Sequence, residues 1–117
     1  MWTIETTDNF DAWLSEQRDG HRASILAALI VLRQTGPMLP RPWADTVYGS
    51  RYSNMKELRV QSGGDPFRVF FAFDPRRRGI VLCAGCKRGL DKRFYSVMIP
   101  VAEREFTRHL NTLNNKE

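Results

Sequence analysis

The sequence predicts an α+β domain in which a twisted antiparallel sheet packs on a helical hairpin and a C-terminal helix. Three observations predict this class: two helix-periodic segments near the start, three strand-like segments separated by turn sequences, and a helix-periodic segment at the end. The predicted order is β-α-α-β-β-β-α. A chain of 117 residues fits one domain, which we place at residues 1–117.

The N-terminal third contains the opening strand and the helical hairpin. Trp2 and Ile4 alternate with polar residues, which indicates a short strand. Thr7 or Asp8 is expected to cap a first helix, and Asp19-Gly20 to break it. The apolar residues of this helix recur at helical spacing at Phe10, Trp13 and Leu14.

The second helix is predicted from about His21 to Gln34, with Gly36-Pro37 as its stop signal. Residues 35–54 then form a long connection with three prolines. Connections of this length are often functional, or they are anchored by their aromatics, here Trp43 and Tyr48.

The C-terminal half is predicted to supply the rest of the sheet. Its strands are placed at Met55–Gln61, Phe67–Asp74 and Ile80–Cys86. A basic loop is expected from Lys87 to Tyr95, and Pro100 suits the first turn of a final helix.

The charge balance favours an anionic partner. There are 18 Lys and Arg residues against 13 Asp and Glu, a formal net charge of +5. RNA, DNA and acidic proteins all fit such a surface. No apolar run approaches the roughly 20 residues that span a membrane, and the first residues lack a signal-peptide pattern. We therefore expect a cytoplasmic protein without a membrane partner.

Basic and aromatic residues cluster in the C-terminal half. Strand alternation places Glu57 and Arg59 on one face, and it places Arg68 beside Phe70 and Ala72 on the next strand. The loop after Cys86 adds Lys87, Arg88, Lys92, Arg93 and Tyr95. RNA cleavage by the 2′-hydroxyl needs a base, donors to the phosphate and an acid. The alternative is a solvated basic surface with Arg68 paired to Glu57.

The remaining chemical motifs are weaker. Cys83 and Cys86 have C-x-x-C spacing, but they end a predicted strand and lack further metal ligands nearby, which favours core thiols. His21 and His109 are expected on helix surfaces. The arginines at positions 76–78 form a turn that is either solvated or an RNA contact. No nucleotide-binding glycine motif or nucleophile elbow is present.

The stretch MKELRVQSGGDPFRVFFAFDPRRRGIVLCAGCKRGLDKRFYSVMIPVAEREFTRHL closely resembles HigB-like toxins of the RelE/ParE superfamily. ETTDNFDAWL and GPMLPRPWADTVYGSRYSNMKELR resemble the same family, so the resemblance covers nearly the whole chain. Its most specific parts are Glu57-Leu58-Arg59, Arg68, and Lys92 to Tyr95.

The resemblance implies a RelE-like fold and a toxin that enters the ribosomal A site and cleaves mRNA without metal or cofactor. It also implies a cognate helix-turn-helix antitoxin of the HigA type. By position, Arg59 and Arg68 match residues that face the scissile phosphate, Lys87 a basic residue of the active-site loop, and Tyr95 a functional aromatic. Glu57 is either the base or an orienting group for Arg59. Further RNA contacts are expected at Lys56, Arg88, Lys92 and Arg93.

Two other functions remain open at this level. A ParE-like toxin would have the same fold and inhibit DNA gyrase rather than cleave RNA, so the fold alone does not decide. A nucleic-acid-binding protein without catalysis would show tight, salt-sensitive binding and no turnover.

Overall fold

The computed structural model describes residues 1–89 and 91–114, without the side chain of residue 91, so four residues of the predicted domain 1–117 lie outside it. It contains five strands, three α-helices and a short 3₁₀ turn at Gly36–Met38. In chain order the elements are β1 (Ile4–Thr6), α1 (Asp8–Ser15), α2 (Asp19–Thr35), β2 (Ala44–Thr46), β3 (Lys56–Ser62), β4 (Asp65–Phe73), β5 (Gly79–Cys86) and α3 (Asp91–Asn114).

The helical hairpin begins and ends at capping residues. Thr7 caps α1, and its hydroxyl accepts a hydrogen bond from the Phe10 amide at 3.1 Å. The break predicted at Asp19-Gly20 instead lies at residues 16–18, because Asp19 opens α2, where a carboxylate favours the positive helix end. Gly36 closes α2 at φ 76°, and a side chain there would collide with the Trp2 indole.

The sheet has the order β1-β5-β4-β3-β2. The central strands pair antiparallel as predicted, which confirms the α+β class. The opening strand, however, pairs in parallel with β5, so the sheet is mixed. The long connection contributes β2, an additional edge strand antiparallel to β3. Trp43 and Tyr48 do not anchor this connection as predicted, since they are 51% and 81% exposed. Tyr52 anchors it instead, because its ring packs edge-on against Phe106 of α3 at 4.9 Å.

Each face of the sheet carries its own apolar core. Leu58, Val60, Val69 and Phe71 pack with residues of α1 and α2 on one face. Phe70 and Ala72 of β4 pack with residues of α3 on the other. The alternation predicted for β3 and β4 is therefore correct, and α3 covers the face to which Glu57, Arg59 and Arg68 belong.

The last helix begins nine residues earlier than predicted, at Asp91 rather than Pro100. A basic loop was predicted from Lys87 to Tyr95. Its second half, from Asp91 on, belongs to α3 instead, and residue 90 lies outside the described residues. Phe94, Met98 and Ala102 recur at helical spacing and pack on the sheet. This packing offsets the interior Pro100, a defect of roughly 3 kcal/mol, which sits exposed on the outer side. No helix among the described residues is long and apolar enough to cross a membrane.

Candidate functional site: a cavity between the sheet and the last helix

Two arginines form the centre of the site. Arg59 of β3 and Arg68 of β4 lie directly opposite each other in the antiparallel register. Side chains in such pairs start about 4.5–5.5 Å apart, and like charges there are destabilising. Nothing in the packing of the sheet requires two cations at this point, which makes the pair a candidate anion-binding site.

The two guanidinium groups have different partners. Arg59 lies between two carboxylates, with its Nη2 3.2 Å from Asp45 Oδ2 and its Nε 3.5 Å from Glu57 Oε2. Arg68 donates from Nη1 to the carbonyl of Phe67 at 3.0 Å. Its buried Nε has no hydrogen-bond partner among the described residues. The predicted alternative, Arg68 paired to Glu57, is wrong because Glu57 pairs with Arg59 instead.

The buried Glu57 and the partly buried Tyr95 form a hydrogen-bonded pair next to these arginines. The Tyr95 hydroxyl donates to Glu57 Oε1 at 2.7 Å, and Glu57 is only 3% exposed. Gly85 of β5 lets the neighbouring Phe94 ring approach the sheet, since a Cβ there would lie 3.1 Å from that ring. This close approach holds the first turns of α3, and with them Tyr95, against the sheet.

Burial, and next the carboxylate of Glu57, raise the pKa of Tyr95 from its ordinary value of 10.0 to about 12. Arg68 acts in the opposite direction but is outweighed. The phenol therefore stays protonated at neutral pH, so Tyr95 is a proton donor there rather than a base.

A cavity of about 470 Å³ opens above this cluster. One wall comes from β2 and the two residues that follow, the floor from β3, and the other wall from α3. The lining residues are Asp45, Thr46, Val47, Tyr48, Glu57, Arg59, Lys92 and Tyr95. The wall at residues 45–48 was not predicted from the sequence. The β-branched and aromatic residues Thr-Val-Tyr were the only local signal for it, and three strand residues are too few to stand out.

The structure brings only some of the predicted site residues together. Glu57, Arg59, Lys92 and Tyr95 line the cavity, and Arg68 lies opposite Arg59 in the sheet beneath it. Lys87, Arg88 and Arg93 are not part of its lining. Arg88 pairs with Asp65, and Arg93 lines a separate surface depression with Arg88 and Phe94.

Lys56 lies on the opposite face of the sheet. Its Nζ donates to the carbonyl of Pro37 at 3.0 Å, beside the end of α2. It precedes Glu57 by one residue, and strand alternation turns the two side chains to opposite faces. Its position therefore separates it from the other predicted RNA contacts.

The prediction that both histidines lie on helix surfaces is wrong. His21 is buried, with Nδ1 2.9 Å from the Ser62 hydroxyl and Nε2 3.4 Å from Asp65 Oδ2. His109 lies with Nε2 2.7 Å from the buried Asp74 carboxylate. Each histidine links its helix through a polar contact to residues beside a turn of the sheet. These contacts explain why polar side chains occupy interior positions.

Both cysteines are free thiols, as expected for strand residues. Burial raises the pKa of Cys83 to about 12, so this thiol is unreactive at neutral pH. Among the described residues no group of three or more His, Cys, Asp or Glu side chains is arranged to hold a metal ion.

Comparison with known proteins identifies the family. The model of the family described as phage-derived protein Gp49-like (DUF891) matches residues 12–107. HigB2 of Mycobacterium tuberculosis, which is named as a toxin, is 42% identical over 110 residues, covering 93% of this chain and 54% of HigB2. HigB3 of the same organism, also named as a toxin, is 40% identical over 94 residues, covering 80% of this chain and 81% of HigB3.

The chain therefore belongs to the Gp49-like family and is a HigB-like member of it. This confirms the resemblance drawn from the ELR, Arg68 and KRFY segments. The chain spans about half the length of HigB2.

Proposed function

We propose that the protein is the toxin of a type II toxin–antitoxin system and that it cleaves mRNA on the ribosome. The observation that carries the proposal is the directly opposed pair Arg59 and Arg68 beside the hydrogen-bonded pair Glu57 and Tyr95. Two guanidinium groups present donors that match the oxygens of a phosphodiester. A bound phosphate would also relieve the repulsion between them.

The reaction uses the 2′-hydroxyl of the RNA as nucleophile. Its oxygen bonds to phosphorus, and the bond from phosphorus to the 5′-oxygen breaks. Glu57 takes the 2′-proton, and Tyr95 gives its phenolic proton to the leaving 5′-oxygen. Arg59 and Arg68 stabilise the charge that develops on the phosphoryl oxygens. The 2.7 Å hydrogen bond between Tyr95 and Glu57 then returns the proton from the carboxyl to the phenolate.

Electrostatics supports these roles. The pKa of Tyr95, raised to about 12, keeps the acid protonated at neutral pH. In the free protein the two carboxylates near Arg59 neutralise part of the basic site. A sparse site of this kind favours a substrate that is oriented by something else, and the ribosome supplies that orientation. Lys92 on the cavity wall is assigned to a neighbouring phosphate.

The other predicted residues have secondary roles in this proposal. Lys87, Arg88 and Arg93 contact RNA phosphates outside the cavity. Lys56 is left out because its amine binds Pro37 on the other face. The toxin acts in the cytoplasm as a single domain, and a helix-turn-helix antitoxin of the HigA type restrains it.

The test is a cell-free translation reaction with labelled mRNA, run with and without ribosomes. Wild-type protein is compared with Arg68→Ala and with Arg33→Ala, which removes the same charge from an exposed position on α2. We expect cleavage only with ribosomes, a loss of about 10²–10³-fold in Arg68→Ala, and wild-type cleavage in Arg33→Ala.

Other outcomes would replace the proposal. Equal cleavage of naked RNA would show that the cleavage does not depend on the ribosome. Intact mRNA together with blocked supercoiling by gyrase would favour a ParE-like toxin. Salt-sensitive RNA binding without cleavage would leave a binding protein.

A further inference from the structure

One aromatic residue of the cavity is not used by the reaction. Tyr48 follows β2 by two residues and lines the cavity together with Arg59, Lys92 and Tyr95. Its side chain is 81% exposed, and no hydrogen bond to its hydroxyl is formed by the described residues. Packing in the folded chain therefore does not account for a large aromatic side chain at this position.

The surroundings of Tyr48 define the chemistry of a ligand. The lining holds two cations, Arg59 and Lys92, and two carboxylates, Asp45 and Glu57, which both pair with Arg59. The cations take phosphates, while the aromatic ring of the same cavity offers a flat face to a planar group. Cations interleaved with exposed aromatics are the arrangement that binds single-stranded nucleic acid, with each base stacked on a ring. A cavity of about 470 Å³ has room for one nucleotide.

We infer that Tyr48 is the stacking platform for the RNA base next to the phosphate held by Arg59 and Arg68. The inference rests on the proposed function and adds a base-binding subsite to it. Stacking tolerates any base, because every base has a π-face. Tyr48 thus positions the strand, and its ring rather than its hydroxyl does so.

The experiment measures equilibrium binding of a fluorescein-labelled RNA hexamer, and of the same hexamer with abasic positions, by anisotropy at low salt. Tyr48→Ala is expected to weaken binding of the intact RNA about 5- to 150-fold. Tyr48→Phe keeps the ring and should bind as wild type. Trp43→Ala is the matched control, since Trp43 is a half-exposed aromatic of the same connection outside the cavity lining.

Two further readouts separate stacking from charge. On the abasic RNA, Tyr48→Ala and wild type should bind equally. The slope of log affinity against log salt should be unchanged in Tyr48→Ala, whereas Lys92→Ala should reduce it by about one.

Several results would overturn the inference. These are wild-type affinity in Tyr48→Ala, equal losses in Trp43→Ala, an equal loss on abasic RNA, or no binding of the hexamer by the wild-type protein. None of these results would argue against the proposed cleavage, which the ribosome assay with Arg68→Ala tests separately.

Discussion

The two faces of strands β3 and β4 differ in what they contribute. Toward α1 and α2, Leu58, Val60, Val69 and Phe71 are buried in a continuous apolar core. Toward α3, the positions between them place Arg59 opposite Arg68, next to Glu57. Neighbouring residues on one backbone thus belong to two environments only because strand side chains alternate.

The difference shows how a small domain accommodates a destabilising site. The apolar face and the part of the other face around Phe70 and Phe106 hold the sheet in place. That framework fixes two opposed cations and a buried carboxylate, which would separate in a less rigid setting. Functional sites commonly keep such unfavourable groups, and their removal often raises stability.

The largest expected effect is on the apolar face. Phe71 is fully buried there, and Phe71→Ala should lower the free energy of unfolding by about 3–5 kcal/mol through lost burial and a cavity. Urea denaturation measures it. Phe73→Ala is the matched control, because Phe73 lies half-buried at the strand end and should cost less. Equal losses in the two variants would mean that the face is not the continuous core described above.

The second prediction concerns Tyr95 on the charged face. Titration of its phenol, followed by absorbance near 295 nm as the difference between wild type and Tyr95→Phe, should give a pKa of about 12 rather than 10.0. Glu57→Gln should lower this pKa but leave it above 10.0, because burial is the larger cause.

The same pKa has a consequence for stability. Between pH 10 and 12 the native state keeps a proton that the unfolded chain has lost. Its contribution to stability is therefore complete below about pH 10 and is lost as the pH rises toward 12. A wild-type tyrosine titration indistinguishable from that of free phenol would contradict the hydrogen-bonded Tyr95–Glu57 pair.

The fold could be predicted from the sequence where periodicity is strong. The strands at 55–61, 67–74 and 80–86 lie within two residues of the observed ones, because their alternation and turns are unambiguous. The predicted start of α3 was wrong, because Pro100 suits the first turn of a helix, whereas packing of Phe94 and Met98 on the sheet extends the helix back to Asp91. The parallel partner of β1 depends on contacts 75 residues apart, which no local pattern contains.

The centre of the site could be predicted, while its rim could not. Alternation placed Glu57 and Arg59 on one face and Arg68 on the next strand, and the cluster of basic and aromatic residues contained Tyr95. The family resemblance then supplied the roles of these residues. Asp45, the second carboxylate that pairs with Arg59, lies on a three-residue edge strand inside a connection that was predicted as a loop. The burial of His21 was also not predicted, because its partners Ser62 and Asp65 lie beside a turn that is distant in sequence.

The smallest expected effect has the opposite sign to the first. Arg68→Met removes a cation opposite Arg59 and an Nε without a partner, while its unbranched side chain keeps much of the volume. We expect the free energy of unfolding to rise by about 0.2–1 kcal/mol in urea denaturation, and the proposed cleavage to be lost. Arg33→Met, on the exposed side of α2, should stay within about 0.5 kcal/mol of wild type. A loss of more than about 1 kcal/mol in Arg68→Met would show that this guanidinium stabilises the sheet, and the two faces would then differ in chemistry but not in their contribution to stability.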